Sequence, residues 1–162
     1  MSEINYTLKP IGYVRRRGPG YALEIDEAFR PALGGLDGFS HINVLWWAHL
    51  ADEADSRRMV TWDKPYRHGP ATLGMFATRS PVRPNPIAVS IAAVQAIDED
   101  AGVIRIPYID AEDGTPILDI KPYHPSVDRL RAVSVPAWCS HWPQWYEDSG
   151  SFDWGAEITG DL

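Results

Sequence analysis

The chain has 162 residues, 44% of them hydrophobic and 23% charged, with a formal net charge of -7 and a pI of about 5.1. That composition fits one globular core with at most a small appendage, and the acidic balance excludes an overall basic footprint for nucleic acid. A single cysteine, Cys139, excludes an internal disulfide and any cysteine-based zinc cluster.

No apolar run reaches transmembrane length, and MSEINYTLKP lacks a signal-like apolar segment, so the expected setting is intracellular (cytoplasmic), with no membrane partner. Tyr6 to Arg16 predicts a first strand, with Tyr13 and Val14 as β-formers and Gly12 allowing a bulge or close approach. Gly18-Pro19-Gly20 breaks it. The run GPGYAL opens like a dinucleotide fingerprint, but it lacks the third glycine and a following amphipathic helix, which argues against a Rossmann unit. Tyr21 to Leu33 reads as a strand and a short helix with Asp26 as N-cap, and Gly34-Gly35 with Asp37-Gly38 as a turn.

Phe39 to Leu50 (FSHINVLWWAHL) carries the strongest strand signal. Alternation places Ile42, Val44, Trp46, Ala48 and Leu50 on one face, and His41, Asn43, Leu45, Trp47 and His49 on the other. The second face is too polar for plain core. His49 ends the strand where a site could open, whereas His41 reads equally well as a satisfied barrel-lining residue. Ala51 to Pro70 is rich in Asp, Glu, Lys and Arg and is expected to be a charged surface loop.

Thr72 to Thr78 and Ile87 to Ile97 predict two strands, and Val103 to Ile109 and Pro116 to Lys121 two more. In the second of these, Ile87, Val89, Ile91 and Ala93 alternate against Ala88, Ser90, Ala92 and Val94. Between the first two, GMFATRSPVRPNPIAVS sets Arg79 and Arg83 among prolines that fix φ and donate nothing to a ladder. A rigid loop holding two guanidinium groups describes an anion or nucleotide site. Asp110, Glu112, Asp113 and Asp119 gather around the turn at Gly114, where carboxylates either do acid–base work or are simply solvated.

The five histidines show no metal-ligand spacing such as HExxH, and neither a P-loop nor a nucleophile elbow is present, so no metal is expected. Beyond Tyr123, Trp138, Trp142, Trp145 and Trp154 cluster with Pro136 and Pro143, and four such rings are expected to be covered by the barrel or a partner subunit. Short strands with Gly and Pro turns predict an all-β or mainly β fold, a barrel or a sandwich, with short helical turns. Residues 1–130 form the expected domain, and 131–162 a Trp-rich tail.

Four segments together go further: PIGYVRR at Pro10, GLDGFSHINVLWWAH at Gly35, the Arg-Pro loop at Gly74 and DGTPILDIKPY at Asp113. In this order they resemble the TsaA-like family, whose best-known members are the tRNA methyltransferase O enzymes, from Pro10 to about Tyr123. The resemblance implies a small closed β-barrel that binds S-adenosylmethionine outside the Rossmann architecture. It also implies homodimers with cofactor sites near the subunit interface, and methylation of N6 of threonylcarbamoyladenosine at position 37 of certain tRNAs.

Carried over by position, the resemblance makes Arg79 the cofactor-site arginine and sets Val89 against the cofactor. His49 and Leu50 close the second motif, and Ile109, Asp110, Ala111, Glu112 and Asp113 form the wrapping loop. Gly18, Pro19 and Gly20 complete the site. Arg83 and Lys121 are the substrate-side candidates; no catalytic residue is assigned. Where family members read IGLS this chain reads IAVS, so Ala88 narrows the pocket. Three readings stand: a methyltransferase of tRNA adenosine-37, a methyltransferase of a small molecule or other acceptor, and a noncatalytic cofactor-binding module. The net charge of -7 withdraws the usual phosphate-driven support for tRNA and weighs toward the second.

Overall fold

Alternating apolar runs fold into nine strands among residues 6–160, the part that the computed structural model describes. In chain order they are β1 (Gly12–Arg17), β2 (Gly20–Ile25), β3 (His41–Trp47), β4 (Thr61–Asp63), β5 (Thr72–Gly74), β6 (Ile87–Ala93), β7 (Ala96–Asp98), β8 (Val103–Ile106) and β9 (Pro116–Pro122). Seven pair in the order β6-β3-β9-β1-β2-β8-β7, and β4 pairs with β5 alone. Three short helices accompany them: α1 (Ala54–Arg58), α2 (Pro125–Asp128) and α3 (Trp154–Glu157). By contacts the chain separates into two units. One holds the residues up to Leu50 and Pro86–Arg129; the other holds Ala51–Asn85 and the residues from Leu130 on.

The first unit is the seven-stranded antiparallel sheet. Its register runs from Gly12↔Ile25 to Arg17↔Gly20 between β1 and β2, which leaves Gly18 and Pro19 as a two-residue turn. Gly18 takes φ +60, a conformation that costs glycine little. The inward positions are aliphatic: Val14, Leu23, Ile42, Val44, Ile104, Ile106 and Ile117 are fully buried in one cluster. Each such side chain contributes about 1.5–3 kcal/mol on removal from water. The alternation read for β3 largely matches: Ile42, Val44 and Ala48 are buried and Trp46 is half-buried against the core, while Leu50, beyond the strand's end, is 71% exposed.

The sheet is not closed into a barrel, which corrects the expected architecture. Its edges are β6 and β7, consecutive in the chain and separated only by Val94 and Gln95. Val94 N–H still donates to Ser40 O at 2.9 Å, while Gln95 N–H already donates to Arg105 O at 2.9 Å. The chain thus leaves one neighbour and joins the next as it runs forward, and no ladder forms between the edges. Strand β6 also turns its large residues outward, with Ile87 and Val89 exposed and Ala92 buried. The small residues of IAVSIAA are the ones that face the sheet's interior.

The second unit has only the β4–β5 hairpin as sheet. The expected strand from Thr72 stops at Gly74, because Met75–Ala77 turn into a 3-10 helix. The charged stretch read as surface loop contains buried Trp62, Pro65 and Tyr66. The tail covers them: Tyr66 stacks on Trp138 at 5.4 Å between ring centroids and meets Trp142 edge-on at 5.0 Å. Trp142 in turn meets Trp154 at 5.2 Å. Backbone bonds fix the docking, with Arg67 N–H to Glu157 O at 2.8 Å and Thr159 N–H to Pro65 O at 3.0 Å. Trp145 stays outside this cluster and is 66% exposed in the single chain.

Candidate functional site

In the first unit the β1–β2 turn and the acidic turn belong to neighbouring strands. Gly20 lies against β8's end: a Cβ there would stand 3.0 Å from Ile106 O. Tyr21 meets Tyr108 edge-on at 6.2 Å, just before Ile109 to Asp113. The acidic turn is fastened to β1 by three backbone-donated bonds. Gly114 N–H donates to Val14 O at 2.8 Å, Val14 N–H to Thr115 O at 2.9 Å, and Arg16 N–H to Asp113 Oδ1 at 2.7 Å. Gly114 allows that reversal with φ +83.

The acids therefore divide by task. Asp113 is held by β1, while Asp110 and Glu112 are exposed and Ile109 is buried beneath them. The arginines of β1 stand beside this turn as its cationic border. Arg17 pairs with Glu24, and Arg15 Nε lies 3.4 Å from the same carboxylate. Gly18 to Gly20 and Ile109 to Asp113 are thus brought to one part of the sheet.

His49 and Leu50 follow β3 and Val89 lies in β6, and the end of β3 lies beside the start of β9, with Trp46 opposite Ile117. Val89 pairs with Leu45, and Ala48 N–H donates to Pro86 O at 2.8 Å, so the end of β3 is pinned to the start of β6. His49 opens a 3-10 turn and is half-buried, while Leu50 beside it is open to solvent. Lys121 pairs with Asn43 across β9 and β3. Its ammonium lies 2.6 Å from Asp119 Oδ2, and that hydrogen bond raises its pKa above the ordinary lysine value.

Arg79 and Arg83 belong to the second unit. Arg79 is exposed between buried Thr78 and Ser80, so the backbone is clamped on both sides of an outward guanidinium. Thr78 Oγ1 donates to Met75 O at 2.9 Å, and Val82 N–H donates to Ser80 Oγ at 3.1 Å. Arg83 instead turns back on its own loop, donating to Ser80 O at 3.3 Å and Met75 O at 3.5 Å. It braces the segment that presents Arg79.

Sequence reasoning missed one supporting residue, Tyr66. Burial pushes its phenol above the ordinary tyrosine range, and a backbone hydrogen bond from Arg79 partly opposes that shift. The aromatic tail thereby reaches the arginine loop through one ring. Only the apolar character of PY at Pro65 and Tyr66, within an otherwise charged stretch, hinted at it.

Each unit offers its own kind of partner for a ligand: the second an exposed arginine, the first an acidic turn. An exposed arginine pairs a carboxylate, and exposed acids with a shaped backbone turn accept from ammonium and hydroxyl groups.

Comparison with known proteins gives these residues a context. The family model described as tRNA-methyltransferase O N-terminal domain matches residues 14–129. A probable S-adenosyl-L-methionine-binding protein of Methanothermobacter thermautotrophicus is 34% identical over 144 residues, 80% of this chain and 98% of that protein. The tRNA (adenine(37)-N6)-methyltransferase of Escherichia coli K12 is 39% identical over 106 residues, 64% of this chain and 44% of that enzyme. Among solved structures, TrmO from Pseudomonas aeruginosa superposes with a TM-score of 0.61 at 31% identity. That match covers 81% of this chain and 62% of that one, so the chain spans less than two thirds of the TrmO protein it resembles.

Proposed function

The chain belongs to the tRNA-methyltransferase O N-terminal domain family, and from that premise we propose that it is an S-adenosylmethionine-dependent methyltransferase acting on N6 of adenosine-37 in tRNA. The finer part of the proposal is the acceptor's modified form, threonylcarbamoyladenosine, together with a cytoplasmic homodimer as the working unit. The observation that carries the reading is the match over 14–129, which contains both the Arg79 loop and the acidic turn at Gly114.

The cofactor supplies a methyl group already activated on a sulfonium, so the chain's own work is binding and orientation. Arg79 pairs the cofactor's carboxylate. Asp110 and Glu112 accept from its ammonium and ribose hydroxyls, with Gly18 to Gly20 and the Ile109–Asp113 backbone shaping the contact. His49, Leu50 and Val89 supply the half-apolar wall. Lys121 stands on the substrate side, and Arg83, folded onto its loop, serves the substrate through the loop's shape.

Calorimetry with S-adenosylmethionine tests the common premise, and absence of binding up to millimolar concentration ends it. Arg79→Ala is expected to weaken binding by about 2–3 kcal/mol with the fold intact; an unchanged dissociation constant removes that assignment. The acidic charge of -7 favours a second reading, the same chemistry on an acceptor other than tRNA. Nucleoside mass spectrometry of tRNA from a deletion strain separates the two, because unchanged modified adenosine rules against tRNA. Sedimentation showing monomer alone at working concentration overturns the homodimer.

A further inference from the structure

Three side chains that this function does not use converge in the second unit. His68 lies between β4 and β5, His141 follows the 3-10 turn Ala137–Cys139, and Glu157 ends α3. Their donor atoms all lie within 4.8 Å of one another, and His141 Nε2 stands 3.1 Å from Glu157 Oε2. The two imidazoles meet edge-on at 5.1 Å. Glu157 is only 4% exposed, and its second oxygen, Oε1, is buried without a hydrogen-bond partner of good geometry. The nearby Trp142 indole N–H is likewise buried without a hydrogen-bond partner of good geometry among the described residues. A buried carboxylate oxygen left in this state is costly unless a donor or a cation takes it.

We propose that His68, His141 and Glu157 form a binding site for a divalent transition-metal ion, zinc foremost, that ties residues 65–69 to the Trp-rich tail. Two imidazoles and one carboxylate are a zinc donor set, whereas magnesium and calcium favour oxygen throughout. Donors about 2.0–2.1 Å from a tetrahedral ion stand about 3.3 Å apart. The 3.1 Å between His141 Nε2 and Glu157 Oε2 already approaches that spacing. His68, on an exposed side chain, has only to swing inward. Both imidazoles are open to solvent, which leaves an entry path and a fourth position for water.

The backbone frame is in place without the ion. Arg67 N–H bonds Glu157 O, and Tyr66 bridges Ile158. The ligands come from separate elements, so no sequence spacing announces them.

The test uses the full chain, stripped with a chelator and titrated with zinc alone against a chromophoric competitor. One equivalent is expected to bind at micromolar affinity or tighter. His68→Ala weakens binding at least tenfold, and His124→Asn, a change in the first unit where that ring contacts Ser126, leaves it unchanged. Zinc raises the thermal midpoint of the parent protein and not of His68→Ala, by mass action on the folded state. Cobalt in place of zinc gives the visible absorption of a four-coordinate ion. Failure to bind zinc, or equal affinity in His68→Ala, overturns the proposal. His68 takes no part in the His141–Glu157 contact, so this variant decides the matter even where Glu157→Gln does not fold.

Discussion

The two units of this chain reach order by different physics. The seven-stranded unit has ladders of up to seven residues, and its interior is filled by Val, Leu and Ile at alternate positions. The other unit has two strands of three residues and a cluster of rings: Tyr66, Trp138, Trp142, Phe152 and Trp154. Where strands are long, many modest side chains share one inner face. Where they are short, each residue has to cover more surface, and an aromatic side chain covers about 150–250 Å². The candidate site residues divide along the same line. The sheet unit offers a turn shaped by backbone hydrogen bonds, and the ring-packed unit offers a guanidinium held outward by its clamped neighbours.

The largest expected effect lies in the aliphatic core. Leu23→Ala removes a fully buried side chain and is expected to cost about 2–5 kcal/mol in urea unfolding. A cost under about 1 kcal/mol would deny the sheet its place as the better-packed unit. Trp142→Ala comes next, at about 2–3 kcal/mol, because that ring is half-buried and touches three others. Its signature is loss of near-ultraviolet circular dichroism while amide protection in β1, β2 and β8 persists. Protection lost equally in those strands would erase the distinction between the units.

The smallest effect belongs to the exposed pair Lys121–Asp119. The hydrogen bond raises the folded-state lysine pKa above its unfolded value, so its stabilisation is complete below that unfolded value, about 10.4, and disappears as pH climbs through the folded one. Lys121→Gln is expected to flatten a slight fall in thermal midpoint between neutral and strongly alkaline pH. A slope that persists unchanged assigns it to other groups.

The legible parts of this protein are those where chemistry repeats locally. The alternation of Phe39 to Leu50 announced β3 and its buried face, and the Arg-Pro loop with the DGTP turn announced the family. Strand β6 was legible as a strand but not in its facing, because IAVSIAA is apolar on both sides and only the neighbouring β3 decides which side is inner. Closure into a barrel was expected from the family resemblance, whereas it depends on whether the edge strands pair. The charged 51–70 stretch hid Trp62 and Tyr66, whose burial depends on residues beyond 130. Arg79's exposure was foreseeable from its loop; the phenol behind its backbone was not, since nothing local links residues 66 and 79.

The composition of the ring-packed unit from two distant stretches has a consequence for synthesis. About 44 residues, Pro86–Arg129, separate its first stretch from its second. At roughly 5–20 residues per second, a ribosome takes on the order of 2–9 s to make them. Through that interval Trp62 and Tyr66 have been made and their covering tryptophans have not. A nascent chain stalled there displays an uncovered aromatic face to any holdase within reach, and the same chain a few seconds later does not.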